Sequence, residues 1–142
     1  MGQLFKRSIW FGRLVLGIGI LLLTRLGLEN IVQPVAMAAT THTTLGSPDA
    51  ITVVRVQGGV LIGIVVILAY CLFSERRLLA GLGIFTTIIT SVALLRVIGI
   101  VLDGPGHFTL MTSKAEVAMA VVAACATLLE RRRSQSRVPN MR

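Results

Sequence analysis

Apolar residues in this chain fall into four long runs, and polar residues collect between them. The runs cover about Ile9–Leu28, Ile51–Phe73, Leu78–Leu102 and Phe108–Leu129. They are continuous rather than alternating, which points to helices and not to barrel strands. In lipid every backbone group must be satisfied within its own segment, and a helix does this. A span needs about 20 residues, and the first three runs reach that length. The apolar part of the fourth, Val117–Leu129, would give only about 20 Å of helix. The fourth helix must therefore start earlier, or use Arg131–Arg133 as snorkelling anchors. The pattern predicts an all-α protein, an integral membrane four-helix bundle forming a single domain over residues 1–142. A basic tail over 130–142 is expected to be disordered or to lie on headgroups.

Boundary residues agree with these runs. Ser47, Pro48 and Asp49 read as N-cap, first-position proline and first-turn acid for the second helix. Ser113 and Glu116 have the spacing of a capping box at the start of the fourth. Asp103-Gly104-Pro105-Gly106 reads as a stop and turn after the third. The short link Ser74–Arg77 predicts that the second and third helices are antiparallel neighbours. The longest connection, Asn30–Ala50, holds an apolar stretch, Ile31–Ala39, followed by a threonine-rich segment around His42. It is expected at the interface or against the bundle.

Composition strengthens the membrane reading. The 142 residues are 54% hydrophobic and 14% charged, with a mean hydropathy of +0.84. Soluble domains carry about 25% charged residues. The net charge is +8, but the cations flank apolar runs and do not form a face interleaved with aromatics. No nucleic-acid partner is implied; membrane lipids are. Lys6, Arg7 and Arg13, then Arg76 and Arg77, then Arg131, Arg132, Arg133, Arg137 and Arg142 outnumber the cations on the other side. The positive-inside rule then predicts that both termini are cytoplasmic. Lys6-Arg7, an apolar run and Ala36-Met37-Ala38 imitate a secretory signal. Arg25 and Glu29 separate the apolar core from the small residues, so an uncleaved first helix is expected. Cys71 and Cys125 read as buried small hydrophobes. His42 and His107 stand alone, and no metal spacing is present.

Four charges break the pattern. Arg55, Arg96, Asp103 and Glu116 lie inside or at one end of the runs. A charge at the bilayer centre costs roughly 2.5–3.5 kcal/mol on insertion scales, so such groups pair or face a cavity. The predicted orientation places all four in the outer leaflet. Arg96 and Asp103 share a helical face, with Arg96 roughly 10 Å deeper. Gln57 and Lys114 are close enough in sequence to join them. Small residues extend the same faces. Gly59 and Gly63 lie under Arg55, Gly99 lies between Arg96 and Asp103, and Ala120, Ala123, Ala124 and Thr127 run below Glu116. Small residues let helices approach closely in lipid. The expectation is an intramembrane polar cluster, either a structural ion-pair network or a ligand site.

Arg55-Val56-Gln57-Gly58-Gly59, Arg96-Val97-Ile98-Gly99-Ile100-Val101-Leu102-Asp103-Gly104-Pro105 and Glu116 together resemble a bacterial membrane family known as domain of unknown function 4345, a relative of the DoxX-like proteins. The likeness runs from about Pro48 to Arg131, and the first helix matches only in character. The family often has an acid just before the arginine of the second helix, where this chain has Thr52-Val53-Val54. The resemblance implies a four-helix inner-membrane fold and the position of the polar site. It implies no activity and no cofactor.

No Ser-His-Asp set, phosphate loop or metal cluster is visible, so the residues point away from an enzyme. The expected role is an accessory or assembly subunit of a larger inner-membrane complex. A second reading is a carrier or binder of an anionic or lipid-like ligand, with Arg55 and Arg96 holding the anion. A third, a quinone-linked oxidoreductase subunit, rests on analogy with the DoxX-like relatives.

Overall fold

The computed structural model describes residues 2–40, 43–104 and 106–136, with side chains outside 2–8, 103, 107, 108 and 136. Five helices follow in order: α1 (Gly2–Val32), α2 (Pro34–Thr40), α3 (Pro48–Leu72), α4 (Leu78–Asp103) and α5 (His107–Ser136). The described residues contain no strand. Four stretches are long and apolar enough to cross a membrane: Ile9–Val32, Pro48–Leu72, Leu78–Leu102 and Thr109–Gln135. The chain is therefore all-α with four membrane-length helices.

Local chemistry sets the helix ends. Pro34 has no N–H and cannot continue α1; it opens α2 instead, while Gln33 N–H still donates to Glu29 O at 2.9 Å. The apolar part of the long connection is thus a short helix whose Pro34 and Ala38, one turn apart, are buried. Ser47 caps α3: its Oγ accepts from Ala50 N–H at 3.2 Å, with Pro48 in the first position. Gly104 ends α4 with φ +92°, a backbone conformation open to glycine and strained for other residues. Its N–H donates to Ile100 O at 3.2 Å.

The fourth span differs from the expected one at both ends. It starts at His107 and continues to Ser136, well past Leu129. Arginine is a good helix former, so Arg131–Arg133 prolong the helix and do not begin a disordered tail. Arg137 and Arg142 lie outside the described residues, as does His42. Ser113 is not at a helix start: it is buried seven positions into its helix, so the Ser113/Glu116 spacing is no capping box. α1 likewise starts at Gly2 and ends at Val32, beyond the expected Ile9–Leu28.

The chain forms two units. The first comprises the described parts of Met1–Gly17 and Cys71–Arg142. In it α4 and α5 run antiparallel, since Arg96 meets Glu116 and Thr86 meets Thr127. The start of α1 packs on α4. Val15 and Leu16 are buried together with Leu78, Leu82 and Phe85, which follow helical spacing along one stripe of α4. Gly81 sits where chains crowd: a Cβ there would stand 2.5 Å from the Cys71 Cβ and 3.1 Å from the Leu16 side chain. That contact brings the end of α3 against the start of α4, the neighbours that the short link implies. Cys71 is buried as expected, but Cys125 is exposed, on an outward position of a membrane-length helix.

The second unit is Ile18–Tyr70. Its close approach lies between α1 and α3 at Gly27 and Gly58. A Cβ on Gly58 would be 2.6 Å from Gly27 O, and one on Gly27 would be 3.1 Å from Gly58 O. The small residues expected to make tight contacts were Gly59 and Gly63, yet a Cβ on either meets nothing within 4 Å. Adjacent helical residues point about 100° apart, so the contact belongs to Gly58 and leaves Gly59 outside it.

Candidate functional site

Arg96 and Glu116 form the polar centre of the first unit. They lie 20 residues apart in sequence on α4 and α5. Arg96 is seven residues before the end of α4 and Glu116 nine after the start of α5. At 1.5 Å per residue both sit about 10–14 Å from the connecting turn. The antiparallel pairing therefore brings them level. Arg96 Nε donates to Glu116 Oε2 at 2.6 Å, and Nη2 donates to Oε1 at 2.8 Å. The fork is bidentate, the geometry in which a guanidinium and a carboxylate bind most strongly. The side chains are 27% and 14% exposed, so the pair is shielded without being sealed.

A second interhelical bond lies deeper. Thr127 Oγ1 donates to Ala123 O at 2.9 Å. A hydroxyl has one hydrogen, so in the 2.9 Å contact between the two threonines Thr86 is the donor. Ala123 and Ala126 are buried on the small-residue face of α5 that packs on α4. Between the two bonds an apolar cleft of about 320 Å³ is lined by α4 residues such as Thr90, Ala93 and Val97 and by α5 residues such as Val117, Ala120 and Ala124.

The other residues expected in this cluster are distributed as follows. Arg55 and Gln57 occupy exposed positions of α3 in the second unit. Lys114 is exposed and Gly99 is half-buried on α4. Asp103 is the last residue of α4, and its side chain lies outside the described residues. Among the described side chains of the four special charges, Arg96 and Glu116 are brought into contact.

A further polar centre was not anticipated from the sequence. Near the end of α5, Arg133 Nη2 donates to Glu130 Oε1 at 2.9 Å, with side chains only 5% and 2% exposed. The Nε and Nη1 of Arg133 are buried with no hydrogen-bond partner. The signal was present as Glu130-x-x-Arg133, two opposite charges on one helical face, but it sits in a stretch that reads as a solvated basic tail. No group of His, Cys, Asp and Glu able to hold a metal occurs among the described residues.

The family model described as Domain of unknown function (DUF4345) matches residues 11–127. The chain belongs to that family. The match begins inside α1, so it reaches further toward the N-terminus than the motifs of α3 to α5 suggest. It takes in Arg55, Gln57, Arg96 and Glu116, and it ends before Glu130 and Arg133. No curated protein and no solved structure matches the chain.

Proposed function

We propose that this family member is a small non-enzymatic protein of the bacterial inner membrane, acting as an accessory or assembly subunit of a larger membrane complex. The observation that carries the reading is the closure of Arg96 on Glu116. Two of its nitrogens are spent on one carboxylate, as suits an internal tie between α4 and α5 better than a grip on a passing anion. The faces left outward on these helices are aliphatic: Leu94, Leu95, Ile98, Val101 and Leu102 on α4, Val121, Leu128 and Leu129 on α5. Such faces suit lipid chains and neighbouring membrane helices equally.

Mild-detergent extraction of the tagged protein, with cross-linking and mass spectrometry, tests the reading. A stoichiometric larger partner is expected. A clean monomer or homo-oligomer would overturn it. The proposed orientation puts both termini and the Ser74–Arg77 link in the cytoplasm. Thr44→Cys should then label with an impermeant maleimide added to intact cells, and Glu75→Cys should label only after lysis. The reverse pattern would invert the topology.

A further inference from the structure

We propose that the cavity between the start of α4 and the last turns of α5 binds a phosphate oxyanion, supplied by an anionic lipid headgroup or by phosphate in solution. The cavity has a volume of about 240 Å³ and is lined by Glu75, Arg76, Leu79, Glu130, Arg133 and Ser134. All six belong to the first unit.

Three observations converge on an anion. First, Arg133 is almost wholly buried, yet only its Nη2 is bonded to protein. Arg133 is one of the residues lining the cavity, and its Nε and Nη1 are buried with no hydrogen-bond partner. A guanidinium has donors and no acceptors, so what completes it must bring oxygen lone pairs. An apolar occupant would leave both donors bare, and a cation, though met by Glu75 and Glu130, would leave them bare as well. Second, the helix that reaches the cavity at Leu79 does so with its N-terminus. The N-cap residue of α4, Arg77, makes no side-chain capping bond, and the positive end of the helix dipole favours negative charge. Third, the charge at this end is positive. Arg76, Arg77, Arg131, Arg132 and Arg133 stand against Glu75 and Glu130.

The height of the cavity fits a headgroup. Leu79 is the second residue of the span Leu78–Leu102, and Glu130 and Arg133 lie in the last six residues of the span Thr109–Gln135. The cavity thus sits where two spans reach the membrane surface. The space exceeds the ~10–15 Å³ that one water requires, and the Ser134 hydroxyl offers a further donor. Glu130 takes one nitrogen of Arg133 through Oε1, and its Oε2 is buried with no hydrogen-bond partner, so the anion is assigned to the Nε and Nη1 side of the guanidinium.

The test uses the full-length protein in nanodiscs and in mild detergent, with native mass spectrometry reading bound species. Phosphatidylglycerol, phosphatidylcholine and inorganic phosphate are the probes. Wild type is expected to retain phosphatidylglycerol, with Arg133→Gln weakening retention at least tenfold and Arg76→Gln about threefold. Competition by millimolar inorganic phosphate would assign the site to the oxyanion alone. Retention of phosphatidylglycerol without such competition would assign it to the lipid. Equal retention by wild type and both variants would overturn the proposal, as would equal retention of phosphatidylcholine that neither substitution alters. Should Arg133→Gln fail to fold, Arg76→Gln decides, because Arg76 is exposed and its loss leaves packing intact. Unchanged retention in that variant overturns the site.

Discussion

Two arginine–glutamate pairs in the first unit differ in what they connect. Arg96–Glu116 joins two helices through two bonds. Glu130–Arg133 lies within one helix, with Arg133 Nη2 on Glu130 Oε1, and is the more deeply buried of the two. Burial alone therefore does not show which pair is structural. The cross-helix pair satisfies its own fork and fixes how α4 and α5 meet. The same-helix pair joins two residues of α5 and leaves the Nε and Nη1 of Arg133, a residue that lines a cavity, without a hydrogen-bond partner. In a membrane protein an ion pair can act as a tie or as half of a site, and the count of unspent donors separates the two.

The sharpest way to break the comparison is at the tie. Removing one partner of a fully buried pair costs about 3–5 kcal/mol; with Arg96 partly exposed, Arg96→Ala should cost on the order of 2–3 kcal/mol. Thermal unfolding in detergent would show it. Glu116→Ala should cost a similar amount, and the double variant much less than the sum. Strictly additive losses would mean that the two side chains are not coupled. Replacing both with methionine should restore most of the stability, since apolar substitutes for an ion pair are often neutral.

Next in size is the glycine contact. Gly81→Ala sets a Cβ against that of Cys71, and overpacking of this kind costs typically 1–3 kcal/mol. Gly58→Ala should act similarly in the second unit. Gly59→Ala and Gly63→Ala, which meet open space, should leave the melting temperature unchanged or slightly raised. A loss at Gly59 equal to that at Gly58 would refute the assigned register. A smaller effect belongs to Thr86→Val, which removes one interhelical bond. Such bonds in membranes average about 0.6 kcal/mol. Smallest of all is Arg25→Ala. Its pair with Glu29 spans one turn of one helix at 2.8 Å on an exposed face, and its loss should not be measurable by thermal unfolding.

The four spans were legible because an apolar run long enough to cross a bilayer admits few other structures. The stop at Gly104 and the cap at Ser47 were legible because their side-chain and backbone chemistry is local. The extent of α5 was not, since three consecutive arginines look like a solvated tail until a neighbouring helix covers one of them. Arg96 and Glu116 stood out as charges in apolar surroundings. Their pairing with each other depends on equal distance from the turn, which only the antiparallel arrangement supplies. The glycine register failed for a similar reason. The Gly59–Gly63 spacing is visible in sequence, whereas Gly58 gains its importance from Gly27, a residue 31 positions away.

The placement of Arg96 and Glu116 at matching depths also bears on how the chain enters the bilayer. Taken alone, α4 would carry an uncompensated cation into hydrocarbon and α5 an uncompensated carboxylate. Each would face a penalty of roughly 2.5–3.5 kcal/mol at the centre and less near the surface. Entering side by side, the two segments carry a neutral couple whose hydrogen bonds are already made. The short connection through Gly104 keeps them close from the moment the second emerges. For these two charges, insertion as a helical hairpin costs less than insertion of each helix alone.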